Sequence, residues 1–205
     1  GFVVRDEHHT AYEVTGKTLL LCSGYDRHRA VGRIVGPIIA AFRNRFGWPS
    51  DVAIFDHDAM VLIESSRDAG SILVNRLPGY RAPMLGTSLG LAYLAFASAE
   101  ERAEVLDRVT AMPAVWNEIA RDRTKAEDYL AGIRDQGYAT MHEEYSRTEY
   151  GRRISTIGVP ILVGGRSMAA MNVLYLKSAL PMAEAVATMV APLKACADEI
   201  ADALT

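Results

Sequence analysis

The sequence predicts an α+β domain built on a mainly antiparallel sheet of six strands flanked by helices. Helical and strand-like patterns come in blocks, in the order helices, three strands, three helices, three strands and a final helix. The turn signals between neighbouring strands are typical of hairpins, above all Gly164-Gly165. The pattern contains no regular strand–helix–strand repeats, which would indicate a parallel sheet.

The composition fits one substantial globular domain of 205 residues, half of them hydrophobic and 23% charged. A net charge of -3 gives no basic footprint, so we expect this chain alone not to bind nucleic acid strongly. The two cysteines, Cys22 and Cys196, lie far apart without metal-ligand spacing, which indicates a reducing compartment. The sequence contains neither a bilayer-length apolar run nor a signal-peptide pattern. We therefore expect a cytoplasmic protein without a membrane partner.

The first elements form a small ribbon. Residues 2–5 and 11–14 are predicted strands, joined by a polar turn at 6–10. A two-stranded ribbon is only marginally stable by itself. His8 and His9 in the turn could suggest a metal site, but no cysteine or third histidine lies nearby, so a solvated turn is favoured.

Two helices come next. A short apolar helix covers 17–23, and a longer amphipathic helix follows. The apolar stripe of the longer helix comprises Val31, Ile34, Val35, Ile38, Ile39, Phe42 and Phe46. Pro37 lies inside this stripe and predicts a kink or a restart of the helix.

A first set of three strands is predicted at 51–55, 59–65 and 71–76. Between the first two lies Asp56-His57-Asp58. Aspartates beside a histidine can bind a metal, but aspartate is also a favoured turn residue, and strands on both sides favour a hairpin turn.

Residues 81–96 change from an extended segment into an apolar helix. Pro83 disfavours helix at Ala82, and the small residues Gly86, Thr87 and Ser88 suit a helix start. The first amides of a helix have no partner within it and attract anions. This start is therefore either a socket for a small carboxylate or an ordinary capped core helix.

Two further helices carry capping-box signals. Ser98, with Glu101 three residues later, predicts a helix to about Val109. Thr124, with Glu127, predicts a helix that ends at Gly137. The run 111–123 between them gives no clear prediction.

The last part of the chain predicts a strand at 138–144, a polar loop at 145–153, strands at 154–163 and 167–176, and an alanine-rich helix from Pro181.

The sequence gives little support for hydrolytic chemistry. Ser88, His142 and Glu143 or Glu144 could form a triad, but nothing in their spacing requires one. Adjacent glutamates on a strand would point to opposite faces. No phosphate loop or Gly-x-Ser-x-Gly elbow is present, and we expect a protein that is not an enzyme.

Several stretches resemble the IclR family of bacterial transcription regulators, namely 89–96, 134–138 and 154–161. The resemblance implies a remnant of a winged helix-turn-helix wing at 1–15, a linker helix at 16–27 and a GAF-like effector-binding and oligomerisation domain at 28–205. It further implies a small-molecule effector, homodimers or dimers of dimers, and promoter DNA bound through an upstream domain. Within the family, residues 48–52, 58–61 and 171–175 are similar to the subgroup that regulates 3-(3-hydroxyphenyl)propionate breakdown.

The resemblance also implies the effector site. The backbone amides of Ser88 and Leu89 would bind the carboxylate, and Ser155 or Asn172 would bind polar groups. Met141 and Leu174 occupy positions where a glyoxylate-responsive relative has polar residues. Their apolar side chains, together with Leu85, favour an aromatic acid. The implied ligand-binding residues are Leu85, Ser88, Leu89, Met141, Ser155, Asn172 and Leu174.

Two other classes stay open. An enzyme on a GAF-like scaffold, such as a thiol-dependent reductase, would need an accessible reactive cysteine, and both cysteines fall on predicted apolar helices. A purely structural dimerisation module is disfavoured by Asn172, because a buried amide on an apolar strand needs partners.

Overall fold

The computed structural model of the chain describes residues 1–5, 11–22, 26–66 and 78–205. Strands in these ranges are Val3–Arg5 (β1), Tyr12–Val14 (β2), Ser50–Asp56 (β3), Ala59–Ser65 (β4), Arg81–Pro83 (β5), Ala139–Thr140 (β6), Ile154–Val163 (β7) and Arg166–Leu176 (β8). The α-helices are Leu19–Cys22 (α1), Asp26–Phe46 (α2), Ser88–Phe96 (α3), Ala99–Thr110 (α4), Arg123–Gln136 (α5), Glu143–Tyr150 (α6) and Met182–Ala203 (α7). Short 3₁₀ helices cover Gly16–Thr18 and Val115–Arg121.

The six-stranded sheet has the order β5-β4-β3-β8-β7-β6, and every pairing in it is antiparallel. The predicted fold class is therefore confirmed. The two halves of the chain meet at the centre of the sheet, where β3 pairs with β8 and Asp51 lies opposite Asn172. The ribbon β1–β2 forms a separate antiparallel pair.

The sheet is covered on both faces. Successive residues of a strand point to opposite faces, so each strand contributes to two cores. One core joins the sheet to α2 and α7 and includes Val52, Ile157 and Val173. The other joins the sheet to α3, α4 and α5 and includes Ala53, Leu62 and Ala170. The second core contains α3, whose first residues are the predicted carboxylate-binding site.

Helix α2 runs through Pro37 without a restart, contrary to one of the alternatives that the sequence left open. Proline removes one helical hydrogen bond. The buried residues Val35, Ile39 and Phe42 line one side of the helix and hold both halves against the sheet. Packing of this stripe therefore offsets the missing bond.

The segment after β6 differs from the prediction. The strand expected at 138–144 is confined to Ala139–Thr140, and α6 replaces the loop expected at 145–153. His142 is the N-cap of α6, because its Nδ1 atom accepts a hydrogen bond from the Glu144 amide at 3.2 Å. Tyr145, only 1% exposed, anchors the helix in the protein. Glu143 and Glu144 thus lie in a first helical turn, not on opposite faces of a strand.

One of the two predicted helix caps is confirmed, and the other lies two residues earlier than predicted. Ser98 caps α4 by accepting a hydrogen bond from the Glu101 amide at 3.2 Å, as predicted. The Glu101 carboxylate accepts a hydrogen bond from the Tyr93 hydroxyl. Helix α5 is capped by Asp122 instead of Thr124, since the Asp122 carboxylate accepts the Lys125 amide at 3.2 Å.

The predicted turn at Asp56-His57-Asp58 is confirmed. Asp56 pairs with Ala59 across a two-residue hairpin turn, and His57 adopts a left-handed conformation with φ of 63°. The polar turn 6–10, with His8 and His9, and the strand predicted at 71–76 lie outside the described residues. Every helix that the structure does describe is too short or too polar to cross a lipid bilayer.

Candidate functional site

The first turn of α3 has backbone amides without hydrogen-bond partners among the described residues. Thr87 is the N-cap, and its hydroxyl oxygen accepts a hydrogen bond from the Gly90 amide at 3.1 Å. The Ser88 and Leu89 amides, which come directly after the cap, make no hydrogen bond within the described part of the chain. Both residues are fully buried. Two buried donors therefore converge at the positive end of a helix dipole.

Two glycines let this helix start lie close to its surroundings. A Cβ atom at Gly90 would lie within 3.0 Å of the backbone of Met84, and one at Gly158 would lie 2.5 Å from the Ser88 carbonyl oxygen. In both places the neighbour is backbone, which cannot rotate away. Helix α3 is therefore fixed between the loop that precedes it and strand β7.

A row of three side chains lies on the sheet near this helix start. Leu174 on β8 is paired with Thr156 on β7, and the Met141 amide donates to the Thr156 carbonyl at 3.2 Å. The hydroxyls of Ser88 and Thr156 lie 2.6 Å apart. Met141 and Leu174 thus lie on either side of the contact between α3 and the sheet, and both are buried.

Asn172 belongs to the neighbouring row, between Gly158 on β7 and Asp51 on β3. The Asn172 Oδ1 atom accepts a hydrogen bond from the Asp51 amide at 3.2 Å. One end of the side chain therefore supports the central strand pair, and the Nδ2 group is the part that a ligand could use as a donor. Asp51 is buried beside it, a placement that strand alternation with Ala53 could have indicated.

Ser155 lies on the opposite face of the sheet from Ser88, Asn172 and Leu174. It alternates with Ile157 in the core that faces α7, and it is paired with Tyr175 on β8. Ser155 therefore does not lie on the same side of β7 as the other predicted site residues. Thr156, the next residue, lies on the α3 side instead. Gly158, two residues further along β7, faces the same side, because it lies close to Ser88 of α3.

Aromatic side chains close the other side of the loop. A Cβ atom at Gly86 would touch the rings of Tyr145 and Trp116, whose centroids are 5.1 Å apart. The Tyr145 hydroxyl lies 2.8 Å from that of Tyr80. Leu85 is buried in the same core as Leu89. The structure thus brings Leu85, Ser88, Leu89, Met141, Asn172 and Leu174 to the α3 side of the sheet.

The groups considered for covalent chemistry are engaged elsewhere. His142 Nδ1 caps α6, and the Ser88 hydroxyl is bonded to Thr156, so neither hydrogen bond joins the two as nucleophile and base. Burial raises the pKa of the Cys196 thiol to about 12, so this cysteine stays protonated.

His142 gives a prediction about pH. Burial lowers its pKa, and the carboxylates of Glu144 and Glu143 oppose that shift. A neutral folded-state histidine contributes stability that is present above its unfolded pKa of about 6.5 and is lost as pH falls through the folded-state pKa. We expect His142→Asn, which caps at any pH, to remove this pH dependence. Urea unfolding of the parent and of the variant, above and below pH 6.5, measures this difference. Free energies of unfolding that change with pH by the same amount in both proteins would contradict the expectation.

The fold agrees with one family of bacterial regulators. The family model described as the bacterial transcriptional regulator IclR C-terminal domain matches residues 26–202, and the chain belongs to this family. Members of the family are transcription regulators that bind small-molecule effectors and DNA.

Three solved structures are similar. An IclR-family regulator from Brucella abortus has a TM-score of 0.76 at 21% identity, over 100% of this chain and 75% of that one. IclR from Thermotoga maritima has a TM-score of 0.75 at 25% identity, over 100% and 80%. An IclR homologue from Microbacterium hydrocarbonoxydans, complexed with 4-hydroxybenzoate, has a TM-score of 0.69 at 22% identity, over 100% and 80%. These likenesses agree on the fold.

Proposed function

We propose that this domain senses a small aromatic carboxylic acid and thereby controls DNA binding by a winged helix-turn-helix domain of the same regulator. The observation that carries the proposal is the pair of unbonded Ser88 and Leu89 amides near the apolar side chains of Met141 and Leu174. A carboxylate and an aromatic ring match these two surfaces.

The carboxylate would accept hydrogen bonds from the Ser88 and Leu89 amides. Buried donors without a partner are costly, so an anion that pairs with them gains the bond and relieves that cost. The Thr87 cap and the close contact at Gly90 hold the amides in place before binding. Little ordering is then required when the ligand arrives.

The ring would contact Met141 and Leu174, with Leu85 nearby. Burial of on the order of 100 Å² of apolar surface contributes roughly 2–3 kcal/mol at about 25 cal/mol per Å². A two- or three-carbon acid lacks this contribution. The bound 4-hydroxybenzoate of the Microbacterium relative supports an aromatic effector.

A hydroxylated phenylpropionate is the finer proposal. It rests on the similarity of residues 48–52, 58–61 and 171–175 to regulators of 3-(3-hydroxyphenyl)propionate breakdown. The Asn172 Nδ2 group would donate to the ring hydroxyl, because its Oδ1 atom is already bonded to the Asp51 amide.

The proposed partners are a second copy of the chain, in a homodimer or a dimer of dimers, and promoter DNA. Exposed apolar residues near the N-terminus support an interface, since Leu19 and Leu20 are about two-thirds exposed. The ribbon β1–β2 also exposes Tyr12 and Val14, as expected for a wing that packs on another domain.

A thermal-shift comparison tests the effector class. We expect 3-phenylpropionate, its 3-hydroxy derivative and 4-hydroxybenzoate to raise the melting temperature at concentrations where pyruvate and glyoxylate do not. An affinity gap of roughly 30-fold or more corresponds to 2–3 kcal/mol. Neutral 3-phenylpropionamide is the control for the carboxylate. Pyruvate binding as tight as that of the aromatic acids would contradict the proposal.

A further inference from the structure

A cavity that is partly open to solvent lies apart from the predicted effector residues, none of which lines it. Its volume is about 220 Å³. It is lined by the turn between β3 and β4, by β5, and by the segment from the end of α4 to the 3₁₀ helix Val115–Arg121. An apolar cavity of about 150 Å³ is sufficient to bind benzene. This cavity therefore has room for one substituted aromatic ring.

Most of its wall is apolar. Met84 and Val109 are buried on two sides, and Met112 and Trp116 complete the wall. Indole rings and thioethers both make favourable contacts with aromatic ligands. The wall thus favours a flat apolar ligand over a sugar or a phosphate.

One polar group in the wall lacks a partner. Asn117 is 5% exposed, and its Nδ2 group donates to the Met112 carbonyl at 3.3 Å. A carbonyl can only accept, so this bond fixes the orientation of the amide. The Oδ1 atom is buried and has no hydrogen-bond partner among the described residues. Asn117 Oδ1 is therefore a buried acceptor in the cavity wall, suited to a ligand with an O–H or N–H donor.

The charges at the rim disfavour an anion. Arg81 also lines the cavity, and its guanidinium pairs with Asp58 at 2.5 Å and with Asp56. Two carboxylates thus face one guanidinium. Arg108, which donates to the carbonyl of His57 in the same turn, is paired with Glu104. Both arginines at this rim are therefore paired, and a carboxylic acid suited to the α3 start would find no unpaired cation there among the residues that the structure describes.

We infer that this cavity is a second binding site, for a small neutral aromatic molecule with one hydrogen-bond donor, such as a phenol. The ring packs between Met84, Val109 and Trp116, and the hydroxyl donates to Asn117 Oδ1. This inference does not depend on the proposed effector, because the two sites share none of the predicted residues and differ in the charge they accept.

Trp116 provides a direct readout, because it lines the cavity. The chain has two tryptophans, so the Trp48→Phe variant leaves Trp116 as the reporter. Phenol is titrated with excitation at the red edge of the indole band, where phenol does not absorb. We expect a saturable change in emission, and binding about fivefold tighter than that of toluene, which has no donor. Benzoate should bind more weakly than phenol.

Two variants identify the site. Asn117→Leu removes the acceptor and should abolish the preference for phenol over toluene. Ala114→Phe fills the cavity and should remove the response to both, so the test does not depend on the folding of the Asn117 variant. Glu118→Gln, an exposed change on the same 3₁₀ helix, is the matched control and should behave as the parent.

Several results would overturn the inference. These are the absence of a saturable response to phenol, equal affinities for phenol and toluene, and an unchanged preference in Asn117→Leu. Competitive displacement of phenol by 3-phenylpropionate would place the phenol at the α3 start and overturn it too. The thermal shift with aromatic acids is recorded in parallel, so failure here is distinguishable from failure of the proposed function.

Discussion

Gly90→Ala is expected to destabilise the protein by at least about 2 kcal/mol and to abolish binding of aromatic acids. The new methyl group would lie within 3.0 Å of the Met84 backbone. Overpacking costs about 1–3 kcal/mol and occasionally more. Because the added methyl group would lie far inside van der Waals contact with the Met84 carbonyl oxygen, we expect a cost at or above the upper end of this range. A net loss of at least about 2 kcal/mol then remains after the gain of about 1 kcal/mol that alanine brings to a helix. Relief of the clash requires the loop or the helix start to shift, which displaces the Ser88 and Leu89 amides.

Gly132→Ala is the matched control for that experiment. Gly132 lies in helix α5, is exposed, and has nothing within 4 Å of the position of an added Cβ atom. The same chemical change should therefore stabilise the protein by about 0.5–1 kcal/mol. Urea unfolding measures both variants. Equal effects of the two substitutions would show that the contact between Gly90 and Met84 is unimportant.

Leu174→Ser is expected to remove most of the preference for aromatic acids over short acids. Leu174 is 4% exposed and is paired with Thr156 on β7. Truncation to serine removes most of its contact with a ring, so affinity for 3-phenylpropionate should fall about 10- to 50-fold, equivalent to about 1.5–2.5 kcal/mol. Affinity for pyruvate should stay the same or rise, because a short acid depends on the amides alone.

Calorimetric titration of folded protein measures this change, with unfolding curves recorded to separate binding from stability. Leu174→Met keeps the volume and the apolar character, and should change either affinity by no more than about threefold. If Leu174→Ser weakened both classes of acid equally, the residue would act through folding and not through contact with the ring.

The order of elements was predictable because hairpin turns and helix caps leave short, local signals. Gly164-Gly165 and Ser98 are examples, and the structure confirms both. Helix α6 was not predictable in the same way. Its cap is a histidine whose imidazole has to be neutral and correctly placed, and its anchor Tyr145 is a single residue in a polar run. Tertiary packing, not local pattern, decides that segment.

The candidate site was likewise predictable from the sequence only in part. The small residues Gly86, Ser88 and Gly90 indicated a helix start in the sequence, and α3 begins there in the structure. The parity of β7 was not visible, because every residue from Ile154 to Val159 is buried and no polar alternation marks the two faces. The family resemblance implied Ser155 as a site residue, and no pattern in this buried run indicated that Thr156, and not Ser155, lies on the α3 side.

Neighbouring residues on β7 and β8 serve different layers of the molecule, and this offers a practical route to biosensors with new ligand preferences. Thr156 and Leu174 lie on the α3 side of the sheet, whereas Ser155 and Tyr175 lie on the α7 side. A mutant library confined to the first pair would vary the proposed ligand-binding surface and leave the packing against α7 intact. A library confined to the second pair would instead change the packing between the sheet and α7, without changing which molecule is recognised.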